Sequence, residues 1–370
     1  MLSSIHQLLT VTAMKNKEGG NIYANISHDQ ARQHMIEKTR GGKKWIIVLA
    51  GGSGQRMRSA IYRWFGENTP KQFCTFVGSQ SMLEHTWNRA RTIVDEKNIV
   101  TVAVAEHLNY FSEFSPENIP GSMVYQPTNR GTAAAILLGL AHILAEDPQA
   151  SVMVLPSDHF IHPEELFTEV AQTAFDFTQQ FSNKLILLGA ESKWPNEDYG
   201  WIEARSILGN TSEKKNNCLL NVRRFTEKPD YIKCHELYEN RAFWSTMIFA
   251  AKGEQLWRLS QDYMPNMLAK MSYLREVIHF FKTNNIAFNH LKEPLRMTYL
   301  NLSRHDFSAD FIQKAATNCC VLPMQGIEWD DWGRPERIVA TARQHGLSTS
   351  FKLDANEYYS AQEEHVRGRV

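Results

Sequence analysis

Nothing in the 370 residues stays apolar for the roughly 18–20 positions that a bilayer crossing needs, so no membrane-spanning helix is expected. Net charge is missing as well. Forty Lys and Arg balance forty Asp and Glu, which removes global support for coating nucleic acid or an anionic membrane. The five cysteines are odd in number and show no CxxC spacing. Cys74, Cys218, Cys234, Cys319 and Cys320 therefore read as reduced thiols of a cytoplasmic protein. A basic segment followed by an apolar one and small residues is absent from the N-terminus, so a secretory signal is not expected. Residues 1–42 read as a poorly ordered leader. What remains is ordinary for a soluble globular protein: 43% hydrophobic and 22% charged residues, with room for one large α/β domain or two.

The most informative stretch is 45–73, WIIVLAGGSGQRMRSAIYRWFGENTPKQF. Trp45 to Ala50 is a short apolar run, β-branched in its middle, that predicts a strand buried on both faces of a parallel sheet. It stops at Gly51-Gly52-Ser53-Gly54, where the backbone can turn sharply and present N–H groups to phosphate oxygens. Arg56, Arg58, Arg63 and Lys71 add positive charge against the single Glu67. The P-loop ending in Gly-Lys-Ser/Thr is absent from the chain. The dinucleotide pattern G-x-G-x-x-G fails at Met57, which argues against a nicotinamide-binding dehydrogenase.

Further along, helical spacing over Ser81–Val94 precedes strands at Ile99–Ala105 and Ser122–Tyr125. An alanine-rich helix runs from Ala133 to about Glu146, with Thr132 as its expected N-cap. Val152–Leu155 is a fourth strand that ends at Pro156-Ser157-Asp158-His159. Ligands of open parallel sheets gather beyond the carboxyl ends of the strands, so Asp158 is well placed to hold Mg²⁺. The alternative is that it caps a helix starting near Pro163. His159 has no other His or Cys at ligand spacing and reads as a structural neighbour. With Leu185–Gly189 as a fifth strand, the alternation predicts a doubly wound, Rossmann-like α/β sheet with a nucleotide cleft. From 199 the texture changes to antiparallel strands at Tyr199–Ala204 and Leu220–Thr226, the second ending at Glu227-Lys228-Pro229. Pro229 is expected to open a helix over Tyr231–Asn240. A strand at Phe243–Ala251, helices over Gly253–Gln261 and 265–284, and a strand at Cys319–Pro323 lead to Trp329-Asp330-Asp331-Trp332. There Asp331 is either an exposed acidic turn or a second magnesium carboxylate.

Taken together and in order, AGGSGQRM with TPKQF, QPTNRGTAAA, LPSDH, DYGWIEA, FTEKP, FWSTMIF and EWDDWGRPERI resemble the sugar-phosphate nucleotidyltransferases of the mannose-1-phosphate guanylyltransferase type. The resemblance spans about 45–340. It implies a mixed nucleotide-binding sheet with an inserted sugar-binding region: a domain over 43–340, divided at about 190 and 300, then a charged tail from 341 to 370. No fused second catalytic domain is expected. It also implies that Gly51, Gly52, Gly54, Arg56 and Lys71 hold the nucleotide phosphates, and that Gln126, Gly131 and Thr132 contact the base. Asp158 and Asp331 take the magnesium positions. Gly200, Glu203, Glu227 and Lys228 take the sugar-phosphate contacts. Departures are Met57 for leucine, Ala134 for proline, and Ser245 for an asparagine expected at the sugar hydroxyls, which leaves the exact sugar open.

The implied reaction joins GTP and mannose 1-phosphate to give GDP-mannose and pyrophosphate. No Ser-His-Asp or Cys-His arrangement is needed, because a sugar 1-phosphate is already mostly dianionic at neutral pH. Arg56, Lys71, Asp158 and Lys228 would serve by positioning and by offsetting charge. Another sugar phosphate or base, and a silent paralogue that binds a nucleotide sugar, stay open. Neither nucleic acid nor membrane is an expected partner, and a homo-oligomer stays open.

Overall fold

The computed structural model describes residues 42–210 and 218–352. The expected leader lies outside the described residues except for Gly42, as does the tail beyond 352.

Strand β1 (Lys44–Ala50) sits in the middle of the parallel part of a nine-stranded mixed sheet. It pairs in parallel with β2 (Ile99–Val104) on one side and β4 (Ser151–Pro156) on the other, and β2 pairs with β3 (Ser122–Gln126). Alternation along β1 explains the two-sided burial. Trp45 and Ile47 face a core built with helices α3 (Thr132–Leu144), α6 (Gly253–Tyr263) and α7 (Pro265–Thr283). Ile46, Val48 and Ala50 face a second core with helices α2 (Met82–Ile93) and α4 (Glu164–Gln180). Each fully buried Val, Ile or Leu contributes about 1.5–3 kcal/mol. Helix α1 (Arg58–Phe65) packs separately, with Phe76, Trp332 and Phe351.

Beyond β4 the sheet turns mixed. Strand β9 (Phe243–Lys252) runs antiparallel between β4 and β6 (Leu185–Ala190). Next come β10 (Cys319–Pro323), parallel to β6, then β8 (Cys218–Glu227) and β7 (Gly200–Asn210), an antiparallel pair. The sheet is therefore doubly wound as expected, with an antiparallel part inserted. The order β3-β2-β1-β4 puts a switch point between β1 and β4, and a crevice opens there beyond the strand ends.

A small ribbon decides the site. Strand β5 (Phe160–His162) pairs antiparallel with β11 (Glu328–Asp330), with Phe160 opposite Asp330. This pairing brings the residue after β11 to the end of β4.

Several local expectations change. Gly131, not Thr132, is the N-cap of α3, and Thr132 is its first helical residue. Asp158 caps no helix: β5 intervenes and Pro163 precedes α4. Asp230, rather than Pro229, starts helix α5 (Tyr231–Glu239), its Oδ1 accepting from Lys233 N at 2.9 Å. Helix α8 (Lys292–Leu300) follows α7, and α9 (Pro335–Gln344), the last helix among the described residues, runs across the expected boundary at 340. Phe351 then stacks on Trp64 with ring centres 3.9 Å apart, so the body extends at least this far. All five cysteines are free thiols, four of them buried, and burial pushes Cys320 up to about 11. Among the described residues no helix is long and apolar enough to cross a membrane.

Candidate active site

The glycine turn is braced from two directions. Gln72, on the short turn Lys71–Phe73, donates from Nε2 to the carbonyls of Ala50 and Gly52, both at 3.0 Å. From the other side, Asn129 Nδ2 donates to Gly51 O at 3.0 Å while its Oδ1 accepts from Gly131 N at 2.9 Å. These braces use the loop's carbonyl oxygens rather than its N–H groups. Gly54 has φ +58°, and a Cβ there would lie 3.0 Å from Lys71 Cβ, so glycine is what lets the two segments touch. A cavity of about 350 Å³ lies against this turn. Six predicted residues line it: Gly51, Gly52, Gln126, Gly131, Thr132 and Asp158. Gln126 is buried and accepts from the hydroxyl of Tyr299 at 3.3 Å.

Lys71 forms the floor between the two predicted acids. Its buried Nζ donates to Asp158 Oδ2 at 3.1 Å and to the carbonyl oxygen of Asp331. Asp158 and Asp331 thus converge on one ammonium from positions 173 residues apart in the chain. The carboxylate of Asp331 is held by arginines. Arg56 Nη2 donates to Oδ2 at 2.7 Å, Arg337 Nη1 to Oδ1 at 2.9 Å, and Gly333 N to Oδ1 at 2.9 Å. Burial alone would raise Asp331, but Lys71, Arg337 and Arg56 together hold it well below the usual carboxylate range. Burial would raise Asp158 as well, but Lys71 and the neighbouring charges together leave it lowered. Asp330 is buried and moves the other way, raised by burial despite Arg337. His159 accepts from the Trp329 indole at Nδ1, 3.2 Å away, and burial lowers its pKa to about 4, so it stays neutral.

The profile of a nucleotidyl transferase family matches residues 45–345. The chain belongs to this family. Among curated relatives, the xanthan biosynthesis protein XanB of Xanthomonas campestris is 29% identical over 223 residues, 59% of this chain and 44% of XanB. Mannose-1-phosphate guanylyltransferase 2 of Escherichia coli O157:H7 is 25% identical over 309 residues, 78% of this chain and 57% of that protein. The chain spans about half the length of these relatives. A solved structure described as a mannose-1-phosphate geranyltransferase from Thermus thermophilus shares the fold, with a TM-score of 0.64 and 21% identity over 80% of this chain and 79% of that one.

In this nucleotidyl transferase the predicted sugar-side residues lie on the antiparallel insertion, outside the walls of the described cavity. Gly200 sits opposite Glu227 across β7 and β8, and a Cβ on it would meet Glu227 Oε2 at 2.7 Å. Glycine there makes room for the carboxylate. Glu227 is pushed to about 7 by burial and by Asp306, against the pull of Lys228. Lys228 is exposed, with φ +44° and its Nζ 3.8 Å from Glu227 Oε1. Glu203 is opposite Arg224, 3.9 Å from its Nε. Ser245 faces Gly189 on β6 at a register shift, and Met247, two residues on, lines the cavity with φ +59°. The link to the nucleotide side runs through Tyr199, whose hydroxyl lies 3.4 Å from Asp331 Oδ1.

Sequence reasoning missed Asn129, Gln72, Asp198 and Arg337 as site residues. All four lie inside the quoted motifs QPTNRGTAAA, TPKQF, DYGWIEA and EWDDWGRPERI, so the residues themselves were open to view. That Arg337 turns inward from α9 to Asp331 and Asp198 was not visible in the motif, because those contacts join separate segments of the chain. Asp158 and Asp331 bring to this region hard carboxylate oxygens, the donor type that suits Mg²⁺. This cation usually takes one or two carboxylates and completes its shell with substrate phosphates and water. In the structure the carboxylate oxygens of Asp331 are engaged by Arg56 and Arg337.

Proposed function

We propose that this nucleotidyl transferase joins GTP and mannose 1-phosphate to give GDP-mannose and pyrophosphate, with Mg²⁺ held by Asp158 and Asp331. The observation that carries this reading is the approach of Asp158, by its carboxylate, and of Asp331, by its backbone carbonyl, to Lys71 beside the glycine turn and its cavity. Similarity to mannose-1-phosphate guanylyltransferase 2 of Escherichia coli O157:H7 supports the choice of base and sugar.

The attacking oxygen of the sugar phosphate needs no general base, since its second pKa is about 6. The difficulty is that two polyanions must approach while pyrophosphate leaves. Bound magnesium would offset part of the charge on the triphosphate. Lys71 holds both acids in place, Arg56 stands at the turn where the phosphates would lie, and Lys228 would meet the incoming sugar phosphate. The braced turn and the start of α3 fix the nucleotide's position, so catalysis here is alignment plus neutralisation. A triphosphate substrate and reduced thiols suit the cytoplasm.

The test is pyrophosphate release with Mg²⁺ from a panel of nucleoside triphosphates and sugar 1-phosphates. GTP with mannose 1-phosphate should turn over fastest, and Asp158→Asn and Asp331→Asn should each lower kcat by about 100-fold or more. Faster turnover of another pair would reassign the substrates. No turnover of any pair, with GDP-mannose still bound, would identify a regulatory binding protein instead.

A further inference from the structure

Asp331 meets two arginines of opposite character. Arg337, with its side chain only 4% exposed, is held by several partners at once. Besides its bond to Asp331 Oδ1 it donates to Asp198 Oδ2 at 2.7 Å and to the Tyr199 hydroxyl at 2.8 Å, and its guanidinium lies 4.9 Å from the centre of the Tyr199 ring. Arg56 is 54% exposed and rests on a short turn just past the glycines. Its one close acidic partner is Asp331 Oδ2 at 2.7 Å, the next being Asp198 Oδ1 at 3.9 Å. Asp198 is already satisfied by Arg334, at 2.8 Å, and by Arg337. One oxygen of Asp331 is therefore locked, and the other is covered by a half-exposed side chain that can rotate away.

We infer that Arg56 is a place-holder at Asp331 Oδ2: it neutralises this carboxylate before substrate arrives and yields the oxygen to the divalent cation that accompanies the triphosphate. Arg337 and Gly333 N engage Oδ1 alone, so Arg56 is what satisfies Oδ2 in the absence of a cation. The released guanidinium is then free to turn to the phosphates beside the glycine turn. Arg337 is the positioning residue, since it keeps Oδ1 engaged and so presents Oδ2 alone. The exchange requires only the rotation of one long side chain. The inference rests on the magnesium reading above.

Its test uses Mn²⁺ alone, titrated into the nucleotide-free protein and followed by the electron paramagnetic resonance of the free ion. Arg56→Gln removes the competitor and should tighten Mn²⁺ binding about fivefold, while weakening the binding of GTP measured without metal. Arg58→Gln removes the same charge two residues away, where the side chain bonds Asn68 instead, and should shift Mn²⁺ affinity less than about twofold. Arg56→Lys should fall between wild type and Arg56→Gln. Equal effects of Arg56→Gln and Arg58→Gln, or weaker Mn²⁺ binding by Arg56→Gln, would overturn the exchange. If Asp331→Asn and wild type bind Mn²⁺ alike, the magnesium assignment itself fails, and the exchange falls for that separate reason.

Discussion

Gly131 has the least room of the glycines that line the cavity. It adopts φ +87°, and a Cβ would lie 2.1 Å from the carbonyl oxygen of His305, which also accepts from Ala133 N at 3.3 Å. Gly131→Ala is expected to lower unfolding free energy by about 2–4 kcal/mol, from the strained φ and the displaced backbone together. Urea titration measures it, and a loss below about 0.5 kcal/mol would contradict the geometry. Glu227 carries a different prediction. Its folded pKa near 7 lies above the ordinary 4.5, so the folded state binds the extra proton between those values. Wild type then loses stability as pH rises through that window, and Glu227→Gln does not. The variant's stability relative to wild type should rise between about pH 5 and pH 8 by on the order of 1–2 kcal/mol. A flat difference would show that the carboxylate titrates normally.

At the scale of elements, helix α2 shows how local chemistry sets a boundary. Ser81 accepts from Glu84 N at 3.3 Å, and the Glu84 carboxylate accepts from Ser81 N at 2.7 Å, a reciprocal capping box. Ser81→Ala should cost about 1 kcal/mol in chemical denaturation with the fold intact. Helices and long strands of this kind were legible because their determinants lie within a few residues of one another. The buried run at Trp45–Ala50 and the apolar spacing of Ser81–Val94 both became the elements they suggested. The ribbon of β5 and β11 was not legible. Three residues are too few for a periodic pattern, and neither strand exists without the other. The cap of α3 also escaped, since Thr132 has the right chemistry while the partner of its hydroxyl, Phe307 N at 2.8 Å, lies 175 residues on.

Across the whole molecule, the late part of the chain closes over the early part. Val77 and Thr349 form an antiparallel bridge, Ser350 N donates to Phe76 O at 3.1 Å, and Phe351 inserts beside Trp64 and Phe65. This clasp ties the segment after α9 to α1, the helix that leaves the glycine turn. Phe351→Ala is expected to cost about 3 kcal/mol, the low end of the usual range for a buried phenylalanine. Denaturant unfolding monitored by tryptophan fluorescence would report it, and an unchanged midpoint would mean that the clasp contributes nothing. Trp332 shares the same small core, so the clasp also supports the loop that carries Asp331.

The linear order of residues was enough to specify the strand ending at Gly51, the glycine turn after it, the acids at 158 and 331, and the family to which they belong. Those are properties of short stretches, where side-chain period and backbone freedom act locally. Which oxygen of Asp331 is locked, that Lys71 serves as the floor between both acids, and that Arg337 turns inward were decided only by the packing of β11 on β5 and of α9 behind it. Such contacts join residues far apart in the chain, and their energies exist only once the intervening sheet has formed.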